Sequence, residues 1–177
     1  MSETGRVSAL QAVGYGESAL PPAATVVVGC GNLLRGDDAL GPILVRELAG
    51  MDLGAHVALV DGGTAGFDVA FRMRGAKRAI LVDACLSGGE PGTIYKVPAS
   101  RLVELPPLDG LHSHSFRWDH ALALAQWLLG DEMPLEVTVF LVEAQSLEIG
   151  DPLSPLVDDA RAKLVHLISD ELAGARP

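Results

Sequence analysis

Positive charge is scarce in this chain. Its 13 Lys and Arg stand against 23 Asp and Glu, a formal net charge of −10 at pH 7 with histidine neutral. Such a balance is poorly suited to displacing the counterions of a nucleic acid, so nucleic-acid readers are disfavoured. Long apolar runs are missing too. No stretch of about 18 uninterrupted apolar residues occurs, and none is therefore expected to span a membrane. Residues 1–24 carry Glu3, Arg6 and Glu17 among Gly, Ala and Ser, without the continuous apolar core of a secretory signal. Cysteine is nearly absent. Cys30 and Cys85 lack the spacing of a disulfide framework, which fits a reducing, cytoplasmic setting. There is no His-Glu-x-x-His helix, no Cys-x-x-Cys pair and no Gly-x-Ser-x-Gly elbow. A standard zinc protease, a zinc finger and an elbow-type serine hydrolase are thus unsupported.

What remains is apolar and regularly patterned. Hydrophobic residues make up 49% of 177 positions, enough for one domain with a full core. Residues 1–24, closing on Pro21-Pro22, read as a flexible N-terminal tail, and 25–173 as a single α/β domain. Thr25 to Cys30, His56 to Val60, Ala79 to Asp83 and Val137 to Val142 read as strands, with Thr93 to Val97 as an edge strand. Helices are expected at Asp38 to Ala49, Phe67 to Met73 and Asp119 to Leu129, the last with a stripe at Ala121, Leu124, Ala125 and Leu128. A final helix opens on Ser154-Pro155, a capping residue before proline at the first helical position, with a stripe at Ala160, Leu164, Leu167 and Ile168. Strands alternating with helices predict a doubly wound, mostly parallel, twisted sheet with helices on both faces.

Ligands of such sheets bind beyond the carboxyl ends of the strands. The groups there are Gly29 to Asp38, Asp61 to Gly66, Asp83 to Cys85 and Glu143 to Ser146. One acid at a strand end ordinarily caps the next helix; several together point to a site. Gly29-Cys30-Gly31 starts like a dinucleotide fingerprint, but Leu34 stands where a third glycine belongs. Gly31 and Gly36 have P-loop spacing, yet Asp37-Asp38 replace the Lys-Ser/Thr pair. Two acids there repel a polyphosphate and suit a cation. His112 and His114 are two apart, so an extended backbone presents both to one side. Imidazole and carboxylate together suit nickel or zinc better than magnesium. Both cysteines follow strand ends and read as small buried apolar residues.

These residues carry a resemblance. Gly29-Cys30-Gly31-Asn32-Leu33-Leu34-Arg35-Gly36-Asp37-Asp38-Ala39-Leu40-Gly41 closely resembles the signature of the nickel-iron hydrogenase maturation endopeptidases. Asp61-Gly62-Gly63-Thr64-Ala65-Gly66, Leu81-Val82-Asp83-Ala84 and Ser113-His114 are similar to that family's second, third and fourth motifs. The likeness runs in order from about Thr25 to Ile168. It implies a metal-dependent endopeptidase that removes the C-terminal extension of a hydrogenase large-subunit precursor after nickel insertion. The family's metal-contacting positions fall on Asp38, Asp83 and His114, and Asp61 matches an acid associated with cleavage. The nickel is expected to arrive with the nickel-loaded precursor, serving as recognition element, and not to be held tightly by the free enzyme. Two other readings stay open: a metallohydrolase holding zinc through His112, His114 and an acid, and a non-catalytic chaperone of the large subunit.

Overall fold

The β-branched run Thr25–Cys30 forms β1, and all six of its residues are buried, as a strand covered on both faces requires. The computed structural model describes residues 24–64, 66–98 and 118–174. The predicted tail and the His112-Ser113-His114 segment lie outside them. After β1 a 3-10 turn at Gly36–Ala39 leads into α1 (Leu40–Leu48). Then follow β2 (Val57–Gly63), α2 (Gly66–Met73), β3 (Arg78–Cys85), β4 (Ile94–Pro98), α3 (Trp118–Leu129), β5 (Glu136–Glu143) and α4 (Pro155–Gly174).

The five strands are ordered β2-β1-β3-β5-β4. All neighbours pair in parallel except β4, which runs antiparallel to β5 at the edge. Successive strand residues point to opposite faces, and two separate cores result. Val27, Ile80, Val82 and Phe140 pack under α1 and α4 against Leu44, Leu48, Leu164 and Ile168. On the other face Val28, Leu81 and Val139 meet Val69 and Met73 of α2 and Leu122 and Ala125 of α3. The expected doubly wound sandwich is the observed one.

This winding creates a crevice. The crossover through α1 carries the chain from β1 to β2 on one side, and the crossover through α2 brings it back to β3 on the other. The carboxyl ends of β1 and β3 thus flank the switch point where such sheets bind ligands. Close packing at this point depends on glycine. A Cβ on Gly41 would lie 2.2 Å from the Cys30 carbonyl oxygen, and one on Gly29 would lie 2.1 Å from that of Gly41.

Four local expectations are corrected. The first helix is α-helical only from Leu40, because Asp38 belongs to the preceding 3-10 turn. Strands β2 and β3 run on past Asp61 and Asp83, to Gly63 and Cys85. One predicted stripe position in each of α3 and α4 falls outside the core: Leu128 and Leu167 are exposed, whereas Ala125, Ala160, Leu164 and Ile168 are buried as expected, joined by Leu122, Leu129, Val157 and Leu172. These segments have more apolar residues than one face holds, so periodicity alone cannot select the buried set. Finally, the Ser154 hydroxyl does not cap α4. It donates to Asp37, and the Ser154 carbonyl accepts from the amide of Asp158.

Candidate active site

Parallel register aligns the acids. Gly29 of β1 lies opposite Asp61 of β2 on one side and Val82 of β3 on the other. Asp83 is therefore one step beyond that row, and so is Cys30. A register shift after Gly29 sets Cys30 opposite Gly63, leaving Gly62 as the extra residue of a bulge. A side chain on Gly62 would press on Val28, with the Cys30 sulfur 3.5 Å from its Cβ.

Asp38 reaches the same place from the loop after β1. Its Oδ2 accepts from the amide of Asn32 at 3.1 Å, and its backbone carbonyl accepts from that amide too. Gly31, at φ 126°, lets the loop fold this tightly, since a Cβ there would lie 1.8 Å from the Asp38 carbonyl oxygen. Burial raises the Asp38 carboxyl above its ordinary value, against the opposing pull of the Asn32 amide and the Arg35 charge. Asp83 is affected more strongly. Burial and the charge of Asp38 push it up to about 7, although the Ala84 amide donates to it at 2.8 Å. Two carboxylates held in one another's field are relieved by a cation. The two carboxylates are hard oxygen donors that suit a cation in general; the imidazoles on which the expected metal class rests lie outside the described residues.

Asp61 completes the group. It is exposed, accepts from the amide of Gly63 at 3.2 Å and pairs with Arg46 at 3.5 Å. Cys30 lies beneath all three acids. Burial, then the charges of Asp83, Asp38 and Asp61, hold its thiol well above the usual value. A thiol raised in this way is protonated and poorly nucleophilic at neutral pH, which disfavours a thiolate nucleophile at this position. Cys85 is likewise pushed up to about 12, by burial and then by Glu143.

The two adjacent acids of the first loop part company. Asp37 is wholly buried and accepts from the amides of Gln145, Ser146 and Ser154 and from the Ser154 hydroxyl. It is a structural clamp, so only Asp38 of the pair suits a cation. The reading that both acids would serve one is corrected.

Sequence reasoning overlooked several groups around the site. Arg46 reaches Asp61 from α1, and Arg35 donates to the Leu147 carbonyl at 3.1 Å. Both are pairings across elements that no local pattern announces. Glu143 was marked only as a strand-end residue. It is buried and accepts from the amides of Ser87 and Gly88 at 2.7 and 2.9 Å and from the Ser87 hydroxyl. Burial raises its carboxyl, and these donors with Cys85 outweigh that, leaving it below its ordinary value. His112 and His114 lie outside the described residues. Among the described residues no three His, Cys, Asp or Glu side chains are grouped to hold a metal ion.

The profile of the hydrogenase maturation protease family matches residues 42–171 of the chain. The Escherichia coli hydrogenase 2 maturation protease is 31% identical over 144 residues, covering 75% of this chain and 80% of that protein. The chain belongs to the hydrogenase maturation protease family. A candidate member from Methanocaldococcus jannaschii is 33% identical over 154 residues, 83% of this chain and 95% of the relative. The hydrogenase-maturating endopeptidase structure from E. coli superposes with a TM-score of 0.70 at 26% identity, covering 85% of this chain and 93% of that one. As a family member the chain is a protease of hydrogenase processing, and the family resemblance read from its motifs holds. Among the described residues no helix is long and apolar enough to cross a membrane.

Proposed function

We propose that this chain is a cytoplasmic endopeptidase that removes the C-terminal extension of a nickel-iron hydrogenase large-subunit precursor once nickel has been inserted. The observation that carries this reading is the placing of Asp38 and Asp83 together at the switch point, where burial and then the charge of Asp38 raise the Asp83 carboxyl. Their mutual repulsion favours a cation arriving with the substrate, and His114 is the third group that would meet it. The precursor's nickel acts as the recognition element, so an unloaded precursor gains nothing from the paired acids.

Asp61 has a different part. Its bonds to Gly63 and Arg46 support a role in shaping the Asp61-Gly62-Gly63 turn, against which an extended peptide would lie. A general-base role for its exposed carboxylate is the alternative. Asp61→Asn separates them: a positioning role leaves a measurable kcat, whereas loss of a base lowers kcat by orders of magnitude.

The test is to incubate the purified chain with nickel-loaded and nickel-free precursor and follow precursor mass. Cleavage of the loaded form alone is expected, together with loss of cleavage in Asp83→Asn and His114→Ala. Equal cleavage of both forms would remove nickel as the recognition element. An unchanged mass with a stable complex would instead favour the chaperone reading. Stoichiometric zinc in the purified chain would favour the metallohydrolase.

A further inference from the structure

Next to the acids lies a rim made from two loops far apart in sequence. The loop after β1 and the loop after β5 are joined by backbone bonds at 2.9–3.1 Å: Gly150 amide to Leu34 carbonyl, Asp37 amide to Ser146 carbonyl, and Gly36 amide to Asp151 carbonyl. The Arg35 side chain adds a bond to the Leu147 carbonyl, and the buried Asp37 carboxylate fastens the whole from beneath. Loops tied this densely keep one shape. Yet they expose large apolar side chains: Leu34 is 71% exposed, Ile149 77% and Leu33 40%. Single exposed apolar residues are ordinary; several on one rigid support beside a reactive site mark a contact surface.

We infer that Leu33, Leu34 and Ile149 form a docking rim for the large-subunit precursor, taking an apolar segment flanked by Lys or Arg. This rests on the function proposed above. Continuity with the acids identifies the occupant, because Leu33 and Leu34 belong to the same tight loop as Asp38, whose carbonyl accepts from Asn32. A substrate seated at Asp38 would thus lie against the loop that carries these leucines. Charge complementarity selects the flanking residues. Exposed Glu148 and Asp151 bracket Ile149, and the chain carries a net charge of −10. An acidic segment would be repelled. A rigid rim also loses little conformational freedom on binding.

The experiment measures cleavage of nickel-loaded precursor across a range of precursor concentrations, with binding of the same precursor titrated separately. The variants are Leu34→Ser with Ile149→Ser, and Glu148→Lys alone; all three positions are exposed, and unfolding midpoints verify folding. The double variant should raise KM about tenfold while kcat stays within about twofold, as loss of central apolar contacts does. Glu148→Lys should raise KM and make it less sensitive to salt. KM within about twofold of the unmodified chain in both cases would overturn the rim. If the unmodified chain cleaves nothing, the proposed function fails, and the binding titration alone judges the rim: weaker binding by the variants supports it, equal binding overturns it. A dimer of the unmodified chain that the double variant dissociates would assign the rim to a second copy and overturn the proposal.

Discussion

The carboxylate of Asp37 accepts both the amide and the hydroxyl of Ser154, 117 residues further along the chain, at 2.7 and 3.0 Å. One buried side chain thereby joins the loop that carries Asp38 to the start of α4. Removing it leaves buried donors without partners. Asp37→Ala should lower the free energy of unfolding by about 3 kcal/mol or more, read from denaturant midpoints. A loss below about 1 kcal/mol would mean the clamp is dispensable.

The same clamp predicts a separate kinetic effect. Asp37→Asn keeps the shape but offers one acceptor oxygen fewer, so Asp38 loses its fixed support. Folded Asp37→Asn protein should cleave nickel-loaded precursor more slowly at saturation, and an unchanged kcat would sever Asp37 from the site.

Asp83 makes stability depend on pH in an unusual direction. Its carboxyl in the folded chain is pushed up to about 7 by burial and by Asp38, so the native state keeps a proton that the unfolded chain has released. Its contribution to stability is full below the ordinary carboxylate range and is lost as pH rises through about 7. Relative to Asp83→Asn, the unmodified chain should lose stability between those limits. Parallel curves from thermal unfolding at several pH values would contradict the shift.

Glu143 works in the opposite sense. Its carboxyl is lowered despite burial because Ser87, Gly88 and Cys85 donate to it. Its contribution is present above the ordinary glutamate range and disappears as pH falls through the lowered value. Glu143→Gln should destabilise the chain at neutral pH by about 2 kcal/mol, and the difference should shrink on acidification. A gap that persists in acid would point to lost packing instead of lost charge.

Gly41 tests the contact between α1 and β1. Its Cβ would fall 2.2 Å from the Cys30 carbonyl oxygen and 2.8 Å from that of Val82, so backbone must move. Gly41→Ala should cost about 3 kcal/mol despite alanine's better helix propensity. A stability equal to the unmodified chain would mean that α1 can retreat freely.

The sequence by itself determined the strands, though not how far β2 and β3 run. Runs such as Val26-Val27-Val28 and Ile80-Leu81-Val82 fit only positions covered on both faces, and they place the acids at carboxyl ends whatever the helices do. The family motifs follow from the same residues. The limits of the buried faces of α3 and α4 were not legible, because Leu128 and Leu167 stand at spacings as good as their buried neighbours. The family motif already singled out Asp38, and tertiary structure alone showed what Asp37 does instead. The two are chemically identical and adjacent, and the difference depends on donors from Gln145, Ser146 and Ser154. Those amides lie more than 100 residues away in sequence, and a buried carboxylate needs them before it can leave water. Asp37 was given them by the fold; Asp38 was left half-buried, with the Asn32 amide as its donor.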